Sequence, residues 1–232
     1  MLEEKMTGLK REVVGYAGLV ESMVDKAISG LLQKRRDVLV EVIERDEPRA
    51  NALEIEMDDL CTALIAQYEP KARDLRTILM ALQMSNDFER MGDHAVNIAE
   101  SGLYLMERPA VKPYIDIPRM AEVTIGMLRD SITAFINEDA ALAKTVCERD
   151  NVVDDMRIQI LRELITYMAS DPTTIERALH LIRVSGNLER IADLATNACE
   201  DVIFMVEGRV IKHHHYEETD DRKKPPEAGV AS

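Results

Sequence analysis

Glycine and proline are scarce, at 10 and 8 of 232 residues. A sheet of many short strands needs frequent punctuators, so that fold class is excluded. The three cysteines, Cys61, Cys147 and Cys199, are far apart and odd in number. They lie within apolar helical patterns, which predicts reduced core thiols rather than a disulfide framework. Basic residues are the minority, 29 Lys and Arg against 43 Asp and Glu, for a net charge of −14 and a pI near 4.9. That balance argues against a groove gripping phosphate backbones, so no nucleic-acid partner is expected, and against adhesion to anionic lipid. No window approaches the roughly 20 apolar residues of a membrane-spanning helix, so no direct membrane insertion is expected. The start, Met1-Leu2-Glu3-Glu4-Lys5, lacks the charged-then-apolar pattern of a signal peptide. Together these point to a cytoplasmic protein.

What is present is material for long helices. Hydrophobic residues make up 46% and charged residues 31%, as in a soluble globular protein. The pattern predicts an all-α chain of six long helices. The first runs roughly from Leu9 to Arg45. Asp46, with Pro48 in the first turn, caps a second that reaches about Gln67. Asp74 caps a third that reaches about Arg108, and Pro109, Pro113 and Pro118 bracket the clearest break. The fourth runs from Asp116-x-Pro118 to about Arg149, and the fifth from Asp150 to about Ala169. Asp171-Pro172 opens the sixth, which Gly208 stops near Glu207. From His213 the chain turns polar and is expected to be disordered.

The two halves are copies. Ser85–Glu100 (SNDFERMGDHAVNIAE) and Ser185–Glu200 (SGNLERIADLATNACE) lie one hundred residues apart and share seven of sixteen positions. Upstream, Glu44-Arg45-Asp46 matches Glu148-Arg149-Asp150 at an offset of 104, which places a four-residue deletion in a connection of the second copy. The architecture is therefore two tandem, pseudo-symmetric three-helix bundles, residues 1–110 and 114–212, end to end or side by side, with a polar tail at 213–232. A repeat of this length is a duplicated domain, not a solenoid unit.

Met84, Phe88, Met91, Ala95 and Ile98 fall on one side of the third helix, and Val184, Leu188, Ile191, Ala195, Ala198 and Val202 on one side of the sixth. These are the expected core faces. Opposite them run Glu89, Asp93, Asn97 and Glu100, repeated as Glu189, Asp193, Asn197 and Glu200. A solvated face is the default reading of such rows, since Glu21…Asp25 and Glu54…Asp58 have the same spacing. Two points favour function. Like charges at i, i+4 repel mildly, and the row persists in both copies while neighbours change. Paired carboxylates offer hard oxygen ligands to one side of a cation, with Glu21, Asp25 and Asp130 as candidates to complete the shell. No di-iron, zinc-protease, Cys-x-x-Cys, phosphate-loop or Gly-x-Ser-x-Gly pattern occurs. His94 has no counterpart in the second copy and reads as a polar neighbour, and His180 as structural. His213–His215 is a surface tail cluster, and the 13 methionines are core filler.

The stretch Gln67-Tyr68-Glu69-Pro70-Lys71-Ala72-Arg73-Asp74-Leu75-Arg76, followed by Asn86–Glu100, resembles the first repeat of the PhoU family. Leu188–Asn197 (LERIADLATN) resembles the second. The resemblance covers about residues 1–212. It implies a phosphate-specific transport system accessory protein: cytoplasmic, often a homodimer, without enzymatic activity. Such a protein would repress the phosphate-starvation response by contacting the ATPase subunit side of the phosphate ABC transporter and a sensor histidine kinase. It also implies metal clusters (iron, manganese, magnesium or zinc) at Glu89 with Asp93 and at Glu189 with Asp193, with Asn97 and Asn197 at the ends of the rows. The second copy departs from the family pattern at Ala192 and at Ala198-Cys199, so the two sites are expected to be unequal. The rival readings are a helical bundle with solvated acidic faces and a metal-dependent phosphohydrolase. The missing nucleophile and paired-His motifs weigh against the latter.

Overall fold

The computed structural model describes residues 2–207, and every regular element among them is helical. In the first copy α1 is Leu2–Gln33, α2 is Arg36–Glu41, a π-turn spans Val42–Asp46, α3 is Glu47–Tyr68 and α4 is Ala72–Met106. In the second, α5 is Asp116–Asn137, α6 is Ala140–Ser170, a 3₁₀ turn spans Pro172–Thr174, and α7 is Ile175–Glu207. The expected stop at Gly208 and the polar tail lie outside the described residues.

The long-helix periodicity holds in the packing. All eleven residues assigned to the core faces of the third and sixth helices are fully buried. The three cysteines are free and buried. Cys147 and Cys199 meet across α6 and α7, where their shared hydrogen bond draws the Cys147 thiol below its usual range and, with burial, pushes Cys199 well up.

α1 starts at Leu2, ahead of the expected Leu9, and α4 at Ala72 with Lys71 rather than Asp74 at its cap position. Two helix ends also differ from the sequence reading, and they differ alike. The periodicity predicts a first helix reaching Arg45 and a fourth reaching Arg149. Instead α1 stops at Gln33 and α5 at Asn137. Lys34 and Glu138 take left-handed backbone, with φ of 54° and 55°. They lie 104 residues apart, the same offset that relates the upstream halves of the two copies. Neither turn carries a glycine or proline, so composition alone does not mark it. Asp139 then caps α6 by accepting from the backbone N–H groups of Ala141 and Leu142, both at 3.0 Å. Asp46 and Asp150 are not caps. Asp46 is buried in αR backbone and accepts from the Lys26 ammonium at 2.8 Å. Pro48 lies inside a continuous run of helix, and the π-turn just before it spreads the ladder where proline offers no N–H and crowds the preceding turn. Near that turn the chain packs closely. Leu39 fills the groove between Gly30 and Gly102, where a Cβ on Gly30 would come within 2.6 Å of its Cδ2.

The bundles lie side by side. α4 packs along α7, and α1 along α5, so each helix of the shared seam meets its own pseudo-twofold mate. α4 and α7 run antiparallel: Thr77 reaches Met205, His94 reaches Asn187 and Tyr104 reaches Glu176. Arg129 of α5 bonds Glu21 of α1, and Lys10 of α1 bonds Glu138 at 3.1 Å.

Between the copies, Lys112 is buried with its ammonium bonded to Asp116 at 2.6 Å and to Glu163 of α6. Both carboxylates are part-exposed and can rehydrate when Lys112 is replaced. Lys112→Met keeps the stem but removes two charge-assisted bonds, and is expected to cost about 2 kcal/mol. Urea unfolding checks this. An unchanged midpoint would show that the tether adds no net stability.

Candidate functional site

Both acidic rows are held by long central helices. In the first copy Glu89 is half-buried and Asp93 exposed on α4. They face α3, not the residues nominated from sequence. Burial, with repulsion from Asp93 and Glu54, raises the Glu89 carboxyl above its usual range, and the nearby Arg90 offsets this only partly. Glu54 is raised by burial and by Asp58 and Asp93, and Glu47 by burial and by Asp93 and Glu100. Four carboxylates, Glu47 and Glu54 from α3 with Glu89 and Asp93 from α4, thus share one field. The Tyr16 hydroxyl of α1 is buried there without a hydrogen-bond partner. Burial and the charges of Glu54, Glu89 and Asp93 drive its pKa up.

The residues expected to complete the shell are engaged elsewhere. Glu21 is bonded by Arg129, Asp25 lies beside that pair, and Asp130 is bonded by Arg149. Hydrophobic patterning shows which face of a helix is buried, not which neighbour the opposite face meets. Glu47, Glu54 and Tyr16 were therefore missed, although Glu54…Asp58 was visible as another acidic pair at the same spacing.

The second copy differs. Glu189 is buried and Asp193 half-buried on α7, facing Asp154 and Arg157 of α6. Burial raises both carboxyls, but here cations lie in the row. Arg190 bonds Asp193 at 3.0 Å, while Arg157 approaches Glu189 at 3.5 Å. The counterpart Arg90 turns the other way and meets Asp87 at 3.6 Å. The copies differ at the neighbouring position, Asp87 against Asn187: Arg90 lies beside Asp87, whereas Arg190 lies along its own row beside Glu189 and Asp193.

The asparagines lie on the α4–α7 seam. Asn97 accepts from Arg183, which also reaches Glu100 at 3.2 Å. Asn197 lines an open cleft farther along the same seam. His94 is more than a polar neighbour. Its Nδ1 lies 2.8 Å from Asn187 Oδ1, and Asn187 Nδ2 donates to the Arg183 carbonyl, so the ring donates to the amide oxygen. His180 stacks on Tyr104 with centroids 3.9 Å apart.

Among the described residues, no three of His, Cys, Asp and Glu converge into a ready-formed metal cage. No described helix is long and apolar enough to cross a membrane.

Comparison with known proteins fits this duplicated helical architecture. The family model described as PhoU domain matches twice, at residues 13–102 and 117–202. A phosphate-specific transport system accessory protein PhoU homolog from Aquifex aeolicus is 41% identical over 212 residues, 91% of this chain and 96% of its own length. The homolog from Deinococcus radiodurans is 37% identical over 89% of this chain and 97% of its own. The crystal structure of PhoU from Pseudomonas aeruginosa superposes with a TM-score of 0.86 at 31% identity, covering 90% of this chain and all of that one. The phosphate transport system regulatory protein PhoU from Streptococcus pneumoniae gives a TM-score of 0.85 at 25% identity, over 91% of this chain and all of that one. By their descriptions these relatives are accessory and regulatory proteins of phosphate transport. With each half matched separately and relatives aligned along nine-tenths of its length, the chain belongs to the PhoU family.

Proposed function

We propose that this chain is a cytoplasmic, homodimeric adaptor of phosphate homeostasis. It would bind metal at its acidic rows and couple a phosphate ABC transporter, through the ATPase subunit, to a sensor histidine kinase. The observation that supports the metal reading is the first-copy cluster. Glu47, Glu54 and Glu89 are all raised by burial and by neighbouring acids, so a cation there would relieve a standing repulsion. The donor set is all oxygen, which suits iron, manganese or magnesium and admits zinc. Glu89 and Asp93 would hold the ion with Glu47 and Glu54. Asn97 would have to release Arg183 to join them. A bound cation would act as a structural clamp between α3 and α4, stabilising the folded state by mass action.

Glu189, Asp193 and Asn197 form the matching set in the second copy. There Arg157 and Arg190 already compensate the carboxylates, so metal must compete with two guanidinium groups. For this copy the solvated, ion-paired row is the stronger rival.

Asp93→Asn keeps side-chain shape and removes one charge. In a tail-deleted background lacking His213–His215, metal content by mass spectrometry should fall markedly. The melting temperature should also lose its sensitivity to chelator. Asp193→Asn should lower metal content less. Full metal content in both variants, or a wild type that binds none, would leave the rows as solvated faces and rest the function on surface contacts alone.

A further inference from the structure

We infer that the outer face of α6 is a contact surface for a second copy of this chain, packed antiparallel about a twofold axis beside Ile158. This rests on the homodimer reading above and gives that dimer a face.

α6 lies at the edge of the second bundle. Among the described elements it packs only on α5, α7 and the 3₁₀ turn, so the side of the helix turned away from them is uncovered. Helical spacing collects Val152, Asp155, Ile158, Gln159, Arg162 and Ile165 on that side, and all six are exposed. Val152 is 48% exposed, Ile158 43% and Ile165 51%. Three aliphatic side chains within four turns of one helix face make a patch rather than scattered singles. Between the side chains runs a shallow groove of about 690 Å³, lined by Asp155, Ile158, Gln159, Arg162, Glu163 and Thr166. Such grooves are what the ridges of a second helix fill.

The charged residues of this stretch divide in two. Arg157 approaches Glu189, Glu163 holds Lys112, and Asp154 lies toward Glu189 and Asp193. Asp155 and Arg162 have no such partner among the described residues. They share one strip of the helix but stand about 10 Å apart along its axis, too far to pair with each other.

Their placement selects the occupant. Asp155 and Arg162 are equally distant from the midpoint between Ile158 and Gln159. A twofold axis at that midpoint, perpendicular to the helix, sets Asp155 of each copy against Arg162 of the other. The same operation brings Ile158 onto Ile158 and Val152 level with Ile165. A twofold contact must be self-complementary, and this face carries its opposite charges at the positions that requirement demands. An unrelated partner would need no such balance. The matching face of α3 lacks it. At the offset of 104, the counterparts of Asp155, Ile158 and Arg162 are Asn51, Glu54 and Asp58. From Ala50 to Gln67, α3 carries four acids and no Lys or Arg. Two α3 helices would oppose like charges, on a chain whose net charge is already −14. The α6 face spans about 20 Å of helix from Val152 to Ile165. That is the small end of specific interfaces, so micromolar dissociation is expected.

Sedimentation velocity of the full-length chain from about 1 to 200 μM, in about 150 mM salt to screen long-range repulsion, should show a concentration-dependent dimer. Asp155→Arg sets arginine against arginine and should weaken association at least about tenfold, and Arg162→Asp should do the same with two acids. Combining Asp155→Arg with Arg162→Asp restores opposite charges across the axis and should return affinity to within about threefold of wild type. These positions are exposed, so circular dichroism should not change. Independently, a short bis-maleimide should join Ile158→Cys to its own copy and leave the wild type, whose three thiols are buried, unlinked. A dimer that neither charge swap weakens would overturn this face and leave the homodimer reading standing. A double variant as weak as the single ones, or no cross-link at position 158, would also overturn the face alone. A chain monomeric throughout would overturn both. Truncation after Glu207 should leave the dimer intact, and a dimer lost with residues 208–232 would put the contact in that segment and overturn the α6 face.

Discussion

Asp87→Asn is expected to stabilise the protein by up to about 4 kcal/mol at pH 8 and by almost nothing near pH 4. Burial pushes the Asp87 carboxyl up from its ordinary 3.8 to about 7, with Asp201 adding to the shift and Arg90 opposing it. The folded state therefore keeps the proton across a range in which the unfolded chain has lost it. Stability from this group is complete below about pH 4, declines as pH rises toward 7, and reaches its minimum above that. An asparagine keeps the shape and has no charge to desolvate, and the fold already accepts one at the equivalent place, Asn187. Chemical unfolding of both proteins at steps from pH 4.5 to 8.5 checks the sign and slope. A difference that does not change with pH would show that Asp87 stays ionised in the fold.

The helices and the duplication were legible because they are recorded as periodicity and as a fixed offset. Met84, Phe88 and Met91, with Val184, Leu188 and Ile191, mark the two central helices by their spacing alone, and all six are buried. The turns at Lys34 and Glu138 were not legible. Left-handed backbone at a lysine and a glutamate belongs to local helix-ending turns, in which the Arg35 N–H bonds the Gly30 carbonyl and the Asp139 N–H the Ala134 carbonyl, with no glycine to announce them. The repeat held the missing clue: an error at one boundary recurs 104 residues later, and Asp139 is an acceptable N-cap in only one copy.

The candidate site was half legible. Its α4 and α7 residues stood out because both copies carry them. Its α3 residues did not, because Glu47 and Glu54 have no acidic counterparts in the second copy, where Asn151 and Ile158 occupy the matching positions. A repeat reveals what two copies share and conceals what one acquired alone. The same holds on the seam, where Arg183 and His94 each occur in one copy and are answered by Gln83 and Leu194 in the other. Divergence between copies, rather than the shared motif, is where this chain has made its two halves chemically different.

Phe88→Ala is expected to remove roughly 3–5 kcal/mol of stability, the cost of a large cavity in a rigid core. Phe88 is fully buried in α4 and meets Tyr16 of α1 edge-on, with centroids 5.4 Å apart and planes at 70°. That geometry adds about 1 kcal/mol beyond area burial. A domain of this kind holds only some 5–15 kcal/mol in all, so the variant should approach its unfolding transition under mild denaturant. The loss should also reach the acidic cluster. Phe88 lies between Asp87 and Glu89 on one turn of helix, and its ring supports the Tyr16 ring whose hydroxyl is buried beside Glu54, Glu89 and Asp93. Phe88→Leu refills most of the volume and should recover more than half of the stability, whereas Tyr16→Phe should be neutral or slightly stabilising because it deletes a buried hydroxyl with no partner. Guanidinium unfolding of the three variants separates these effects. A Phe88→Ala loss below about 1.5 kcal/mol would mean that α1 and α4 collapse onto the vacated space. A large loss in Tyr16→Phe would mean instead that the hydroxyl is bonded in solution, with the acidic cluster beside it as the nearest source of acceptors.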